Sequence, residues 1–270
     1  MPAPPPAQTP PRAAVLHLIA QFAGRCRNCF SQGFIRHKGF IMKNRFMFIG
    51  LLFLGGLFPG QGGEGQKYYP ENPDMTWEYK ITSDKAKARK LKITNLAQWT
   101  FLDKNVTPRK WESEGVTNYT FAAEDKSGVY QVAAQKPGES EPKQIQPPIY
   151  YLKTPIRAGT TWDIVQNLGQ VDMKLTLTIT GLQEKVTVPA GTFQECLRLK
   201  ESGKSLKALA DGATATMESE NWYAPHVGWV KGVTTINKKM GDKVVFSEVI
   251  TYELESYKQS ATSGGTQSPY

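Results

Sequence analysis

Residues 66–258 predict a single antiparallel, all-β domain of about ten strands, and three observations carry that expectation. From Gln66 onward the dominant hydrophobic period is two rather than 3.6. β-Branched and aromatic residues fill the alternating runs, as a pleated and half-buried surface favours. Short clusters of turn-forming residues separate the runs and leave no room for crossover helices. Curved sheet, barrel and sandwich all satisfy this pattern.

The strands follow in order. Trp77, Tyr79 and Ile81 alternate with Glu78, Lys80 and Thr82, and Leu91, Ile93 and then Trp99 to Leu102 continue the theme. Val171, Met173, Leu175, Leu177 and Ile179 alternate with Asp172, Lys174, Thr176, Thr178 and Thr180. Further runs cover Val230 to Ile236 and Val244 to Leu254. Turn chemistry separates them at Glu124 to Gly128, Pro137-Gly138, Ala158-Gly159, Asn167 to Gly169, Pro189 to Gly191, Glu201 to Gly203, Asp211-Gly212 and Gly241-Asp242. The Lys-rich stretch Asp84 to Lys90 is the one candidate helix; it lacks an apolar stripe and reads as a solvated loop or one short turn. Tyr68-Tyr69, Pro73 and Thr76-Trp77 are echoed by Tyr150-Tyr151, Pro155 and Thr161-Trp162, which predicts an internal repeat within one domain.

The N-terminal region reads differently. Met42-Lys43-Asn44-Arg45 is a short basic head, and the apolar run Phe46 to Phe58 and a glycine-rich stretch to Gly65 follow it. That order is a signal peptide over 42–65. The run falls short of the roughly 20 apolar residues a spanning helix needs, although an uncleaved membrane anchor is the alternative. Residues 1–41, Pro- and Ala-rich at the start, read as a non-native or disordered extension, and 259–270 as a disordered tail.

Charge and cysteine narrow the function classes. The chain holds 33 basic and 24 acidic residues, net +9, but 66–270 holds 26 basic and 23 acidic, net +3. The basicity thus belongs mainly to the leader, and a nucleic-acid partner is excluded. Cys26 and Cys29 form a C-x-x-C in the leader with no second pair to complete a zinc site. Cys196 has no partner in the domain and reads as a buried small hydrophobe. No pattern implies a metal or cofactor: Gly60 to Gly65 matches a dinucleotide-binding fingerprint in letters only, with no strand before it or helix-forming pattern after it. His226 is the only histidine after residue 65, and nothing pairs it with a nucleophile or a carboxylate.

Two local motifs are mechanical. In Val188-Pro189-Ala190-Gly191-Thr192-Phe193, proline sets the first turn position and glycine supplies a positive φ that closes a hairpin. Trp222-Tyr223-Ala224-Pro225-His226-Val227-Gly228 is a second strand-turn-strand element. On these motifs the chain resembles, over about 68–255, a family of exported bacterial β-proteins. That family carries the Val-Pro-Ala-Gly-Thr-Phe hairpin, a Trp-Tyr-Ala-Pro-Gly-Val-Gly segment and a recurring Tyr-Tyr opening. His226 stands where the family has glycine, which puts the geometry of that turn in question. The resemblance implies an exported β-fold and no chemistry.

The expected function is a non-enzymatic β-domain of the bacterial envelope, periplasmic or extracellular, that binds a small apolar ligand or an envelope protein. Its membrane contact would be through the signal segment alone. A structural or assembly factor and a carboxylate-dependent hydrolase are the alternatives. The candidate ligand contacts are Trp77, Trp162, Trp222, Tyr223 and His226, because aromatic clusters on a sheet can line a groove even though most tryptophans are core.

Overall fold

A computed structural model describes residues 63–169 and 171–259. The signal segment, the C-x-x-C and most of the tail lie outside the described residues. One short helix, α1 (Glu64–Tyr68), precedes thirteen strands. The first seven are β1 (Thr76–Ser83), β2 (Arg89–Asn95), β3 (Trp99–Phe101), β4 (Lys104–Ser113), β5 (Val116–Asp125), β6 (Gly128–Gln135) and β7 (Lys143–Lys153). The remaining six are β8 (Thr161–Leu168), β9 (Val171–Val188), β10 (Gly191–Ser205), β11 (Thr214–Ala224), β12 (Gly228–Met240) and β13 (Lys243–Lys258).

All pairings are antiparallel, in the order β7-β6-β5-β4-β2-β1-β13-β12-β11-β10-β9-β8, with β3 attached to β4. Two meanders, β1 to β7 and β8 to β13, are therefore joined where the last strand pairs with the first, from Thr76 opposite Lys258 to Ser83 opposite Ile250. The result is one nearly closed, barrel-like sheet. Its seam lies between β7 and β8, which do not pair with each other. Trp162 bridges that seam: its indole Nε1 of β8 donates to the Tyr150 carbonyl of β7 at 3.0 Å.

Thirteen strands exceed the ten expected because some reversals carry little turn chemistry: the one at Leu102-Asp103 has no glycine or proline, and the one at Glu114-Gly115 has a lone glycine. Leu102 and Asp103 separate β3 from β4 with φ of 49° and 60°, and Glu114 with φ 50° precedes Gly115 between β4 and β5. The expected turn at Glu201 to Gly203 is also corrected, because all three residues lie inside β10 and pair with both β9 and β11. Gly203 is there for close approach: a Cβ on it would collide with the Lys174 carbonyl oxygen of β9. Of the stretch Asp84 to Lys90 expected as a loop, Asp84 to Ala88 is one, while Arg89 and Lys90 already belong to β2 and pair with Ile81 and Lys80; Gly191 opens β10 with φ 137°. Cys196 is fully buried.

Opposite residues of antiparallel strands share a face, so the registers define the inner face. It runs through Tyr79 opposite Leu254, Thr234 opposite Ile250, Ser219 opposite Thr234, Glu201 opposite Ser219, and Glu201 opposite Leu177. Trp162 opposite Leu177 extends it to the seam.

One end is closed by the segment from Gly63 to Met75, whose α1 was not foreseen and begins two residues before the expected domain start. The segment is held from many sides. The Gly63 N–H donates to Glu124 of β5, the Ile156 N–H donates to Glu64, and the His226 N–H donates to the Lys67 carbonyl at 2.6 Å. Tyr68 and Tyr69 are buried in the core, and the Tyr69 ring stacks on Tyr151 at 5.0 Å.

Candidate functional site

The five residues singled out from sequence do not converge. Trp77 is 2% exposed, and its indole donates to the Val227 carbonyl at 2.6 Å, fastening β1 to the β11–β12 turn. Trp162, 5% exposed, belongs to a different part of the core and to the seam. Trp222 pairs with Lys231, on the opposite face of β11 from Asn221, and packs beside the cluster that holds Trp77. Tyr223 is half-buried against the other cluster. His226 is exposed in its turn with φ 61°. That is the left-handed conformation glycine would favour, so the turn keeps its geometry with histidine in it.

Two polar sites lie within the apolar fold, and neither was legible beforehand. The first surrounds Arg109, 7% exposed on β4. Its Nε donates to Asn95 Oδ1 at 2.8 Å and its Nη2 to the Pro70 carbonyl at 2.9 Å. The guanidinium sits 4.0 Å from the Tyr69 ring centre and 5.0 Å from that of Trp77. Asn95 completes the clasp by donating to the carbonyls of Pro70 and Asn72. Glu71, also 7% exposed, has no hydrogen-bond partner for Oε1 among the described residues. Burial pushes its carboxyl up to about 7, against the lowering influence of Arg109. Arg109 and Asn95 are thus spent on holding the N-terminal segment across the barrel end.

The second is an inward-facing cleft of about 200 Å³ between β8 and β13. Apolar side chains such as Leu168, Met173, Met217, Ile236 and Ile250 make most of its wall. Its polar floor is a connected network. Asn221 Nδ2 donates to Glu201 Oε1 at 3.2 Å and to Ser219 Oγ at 3.1 Å. Trp229 Nε1 donates to Asn221 Oδ1 at 3.0 Å, and Ser219 and Thr234 share a hydroxyl contact at 2.9 Å. Trp229 and Tyr252 are tilted together at 5.0 Å between ring centres. Burial raises the Glu201 carboxyl to about 7, opposed by the Asn221 hydrogen bond. A concave apolar wall with a few convergent polar groups is the general form of a small-molecule site.

A larger recess of about 320 Å³ lies beside β7, lined by Gln144 to Pro148, Lys104, Tyr130 and Val132. Most of that lining is exposed, so it is a surface groove rather than an enclosed site. Among the described residues, no three His, Cys, Asp or Glu side chains gather as a metal set would require.

No protein-family model and no curated protein matches the chain. Solved structures that resemble it include a protein from Bacteroides fragilis NCTC 9343 described as exported and as having a YmcC-like fold. It is 14% identical, covers 71% of this chain and 99% of its own, and has a TM-score of 0.41. A protein from Parabacteroides distasonis ATCC 8503 described as a lipoprotein is 16% identical, covers 71% of this chain and 98% of its own, and has a TM-score of 0.37. A likeness of this degree assigns no chemistry to the cleft.

Proposed function

We propose that this chain is an exported, non-enzymatic β-protein of the bacterial envelope that holds a small, largely apolar ligand in the cleft floored by Glu201, Asn221 and Ser219. The observation that carries the reading is the cleft itself. An apolar wall on the concave face of a sheet would ordinarily be filled by core side chains, and here about 200 Å³ is left open over a hydrogen-bonded polar floor. None of the five aromatic and histidine candidates lines this cleft; Tyr223 lies on the same face of β11 as Asn221, and its phenol ionisation is raised by burial first and then by the charge of Glu201. Secretion follows from the basic head and apolar run at 42–58, with a mature start between Pro59 and Gln66.

The test is the small-molecule content of the exported product, compared with a Met217→Trp variant that fills the cleft. A released molecule present in the native protein and absent from M217W supports the reading. A native protein that releases nothing and binds no hexan-1-ol in titration contradicts it.

A second reading, an envelope assembly factor, is favoured by the strand edges of β7 and β8 that face the seam without pairing to each other. A hydrolase working through two carboxylates would need a second carboxyl on the cleft, where Glu201 is the only one.

A further inference from the structure

Glu201 is the only carboxyl among the thirteen residues that line the cleft, and none of those residues is Lys, Arg or His. Glu201 is half-buried; its Oε1 accepts from Asn221, while Oε2 has no hydrogen-bond partner among the described residues and, unlike Glu71 Oε1, is not sealed from the open side of the cleft. The buried Arg109 does not serve it, since its donors go to Asn95 and Pro70. A carboxyl on an apolar wall without a counter-charge is costly when ionised, and native proteins meet that cost with a partner or a proton. The Trp229 and Tyr252 rings, tilted together at 5.0 Å, line the same cleft, and Trp229 also packs on Tyr79 at 4.9 Å; aromatic rings of this kind attract cations.

We propose that the cleft recognises small amphiphiles that carry a cationic amine, with the ammonium group on Glu201 Oε2 against Trp229 and Tyr252 and the hydrocarbon along Met173, Met217 and Ile250. This rests on the reading of the cleft as a ligand site and names the class of ligand. The bound ammonium supplies the counter-charge that the protein omits. Size agrees: at about 30 Å³ per water-sized group, about 200 Å³ takes roughly seven heavy atoms, the size of hexylamine.

The surroundings set the pH dependence. Tyr223 of β11 and Tyr252 of β13 are phenols whose ionisation burial pushes upward. Glu248, on the same face of β13, accepts from Ser83 of β1, and Arg89 of β2 acts on Tyr252. No basic residue lines the cleft from β8, β9 or β12. With the Glu201 carboxyl at about 7, an alkylammonium with a pKa of roughly 10 meets a carboxylate above neutrality and a neutral acid at pH 5.

Calorimetric titration of the exported protein with hexylamine, hexan-1-ol and hexanoate, at pH 5 and pH 8, tests this. The expected result at pH 8 is hexylamine binding about tenfold or more tightly than hexan-1-ol, with hexanoate weakest, as a charge-assisted contact implies. At pH 5 the amine and the alcohol should converge, and near neutrality amine binding should release a proton. In Glu201→Gln the two should be equal at both pH values; the native pH series stands on its own if that variant does not fold. Equal affinity of amine and alcohol for the native protein at pH 8 overturns the amine assignment and leaves the apolar site standing. Failure of all three to bind overturns both.

Discussion

Glu71 lies in the segment that closes the barrel end, and its removal should stabilise the protein in a pH-dependent way. Its carboxyl titrates at about 7 in the fold against an ordinary 4.5, because burial outweighs the nearby Arg109. Between those values the folded chain holds a proton that the unfolded chain has released. Raising the pH therefore favours unfolding, and the stability present below pH 4.5 is lost progressively up to about 7. The gap of about two and a half pH units, at about 1.4 kcal/mol each, comes to roughly 3 kcal/mol. Glu201, raised in the same direction, adds a smaller loss in the same window because it lines an open cleft. Glu71→Gln removes the first contribution alone. Urea unfolding followed by tryptophan fluorescence at pH 5, 6, 7 and 8 should show E71Q and the native chain close at pH 5 and the variant ahead by up to about 3 kcal/mol at pH 8. A native chain that gains stability from pH 5 to 7, or an E71Q that is the weaker protein at pH 8, would refute the reasoning.

Other substitutions probe the same framework. Arg109→Ala breaks a buried charged clasp and should cost about 3 kcal/mol or more, while Arg109→Lys keeps the charge but loses the fork and the ring stacking and should cost about half as much; denaturant midpoints measure both. Trp77→Phe leaves the buried Val227 carbonyl without its donor and should destabilise by about 2 kcal/mol, visible as a lowered Tm. His226→Gly should be neutral or stabilise by up to about 1 kcal/mol, since glycine carries no penalty at φ 61°, and ligand binding by calorimetry should not change.

The strands were legible where alternation is strict. Trp77 to Ile81 and Val171 to Ile179 follow the pleat residue by residue, and the proline–glycine hairpin before Thr192 announces its own turn. The reversals at Leu102-Asp103 and Glu114-Gly115 were not legible, because positive φ at ordinary residues leaves no compositional mark and the lone Gly115 stands without a cluster of turn formers around it. The cleft was hidden for a related reason. Glu-Ser-Gly at 201–203 reads as a turn, yet Gly203 serves close strand approach, and that places Glu201 in the middle of β10 facing inward. Arg109 was hidden too, since a basic residue next to Lys110 reads as solvent-facing until Asn95 and the Pro70 carbonyl are brought to it across the sheet. Tryptophan alone pointed to the core more than to the site: Trp77 and Trp162 tie strands together through their indole N–H groups. Trp229, which lines the cleft, sits in the same motif region without any local sign of its role.

The most direct test of the central claim uses the methionine methyl groups. Met173 and Met217 line the cleft, Met75 is buried in a different cluster, and Met240 is exposed at the β12–β13 hairpin. In a methyl NMR titration with hexan-1-ol, the account predicts saturable shifts at Met173 and Met217 with Met75 and Met240 unmoved. Shifts confined to Met75 or Met240, or none at any of the four, would contradict it.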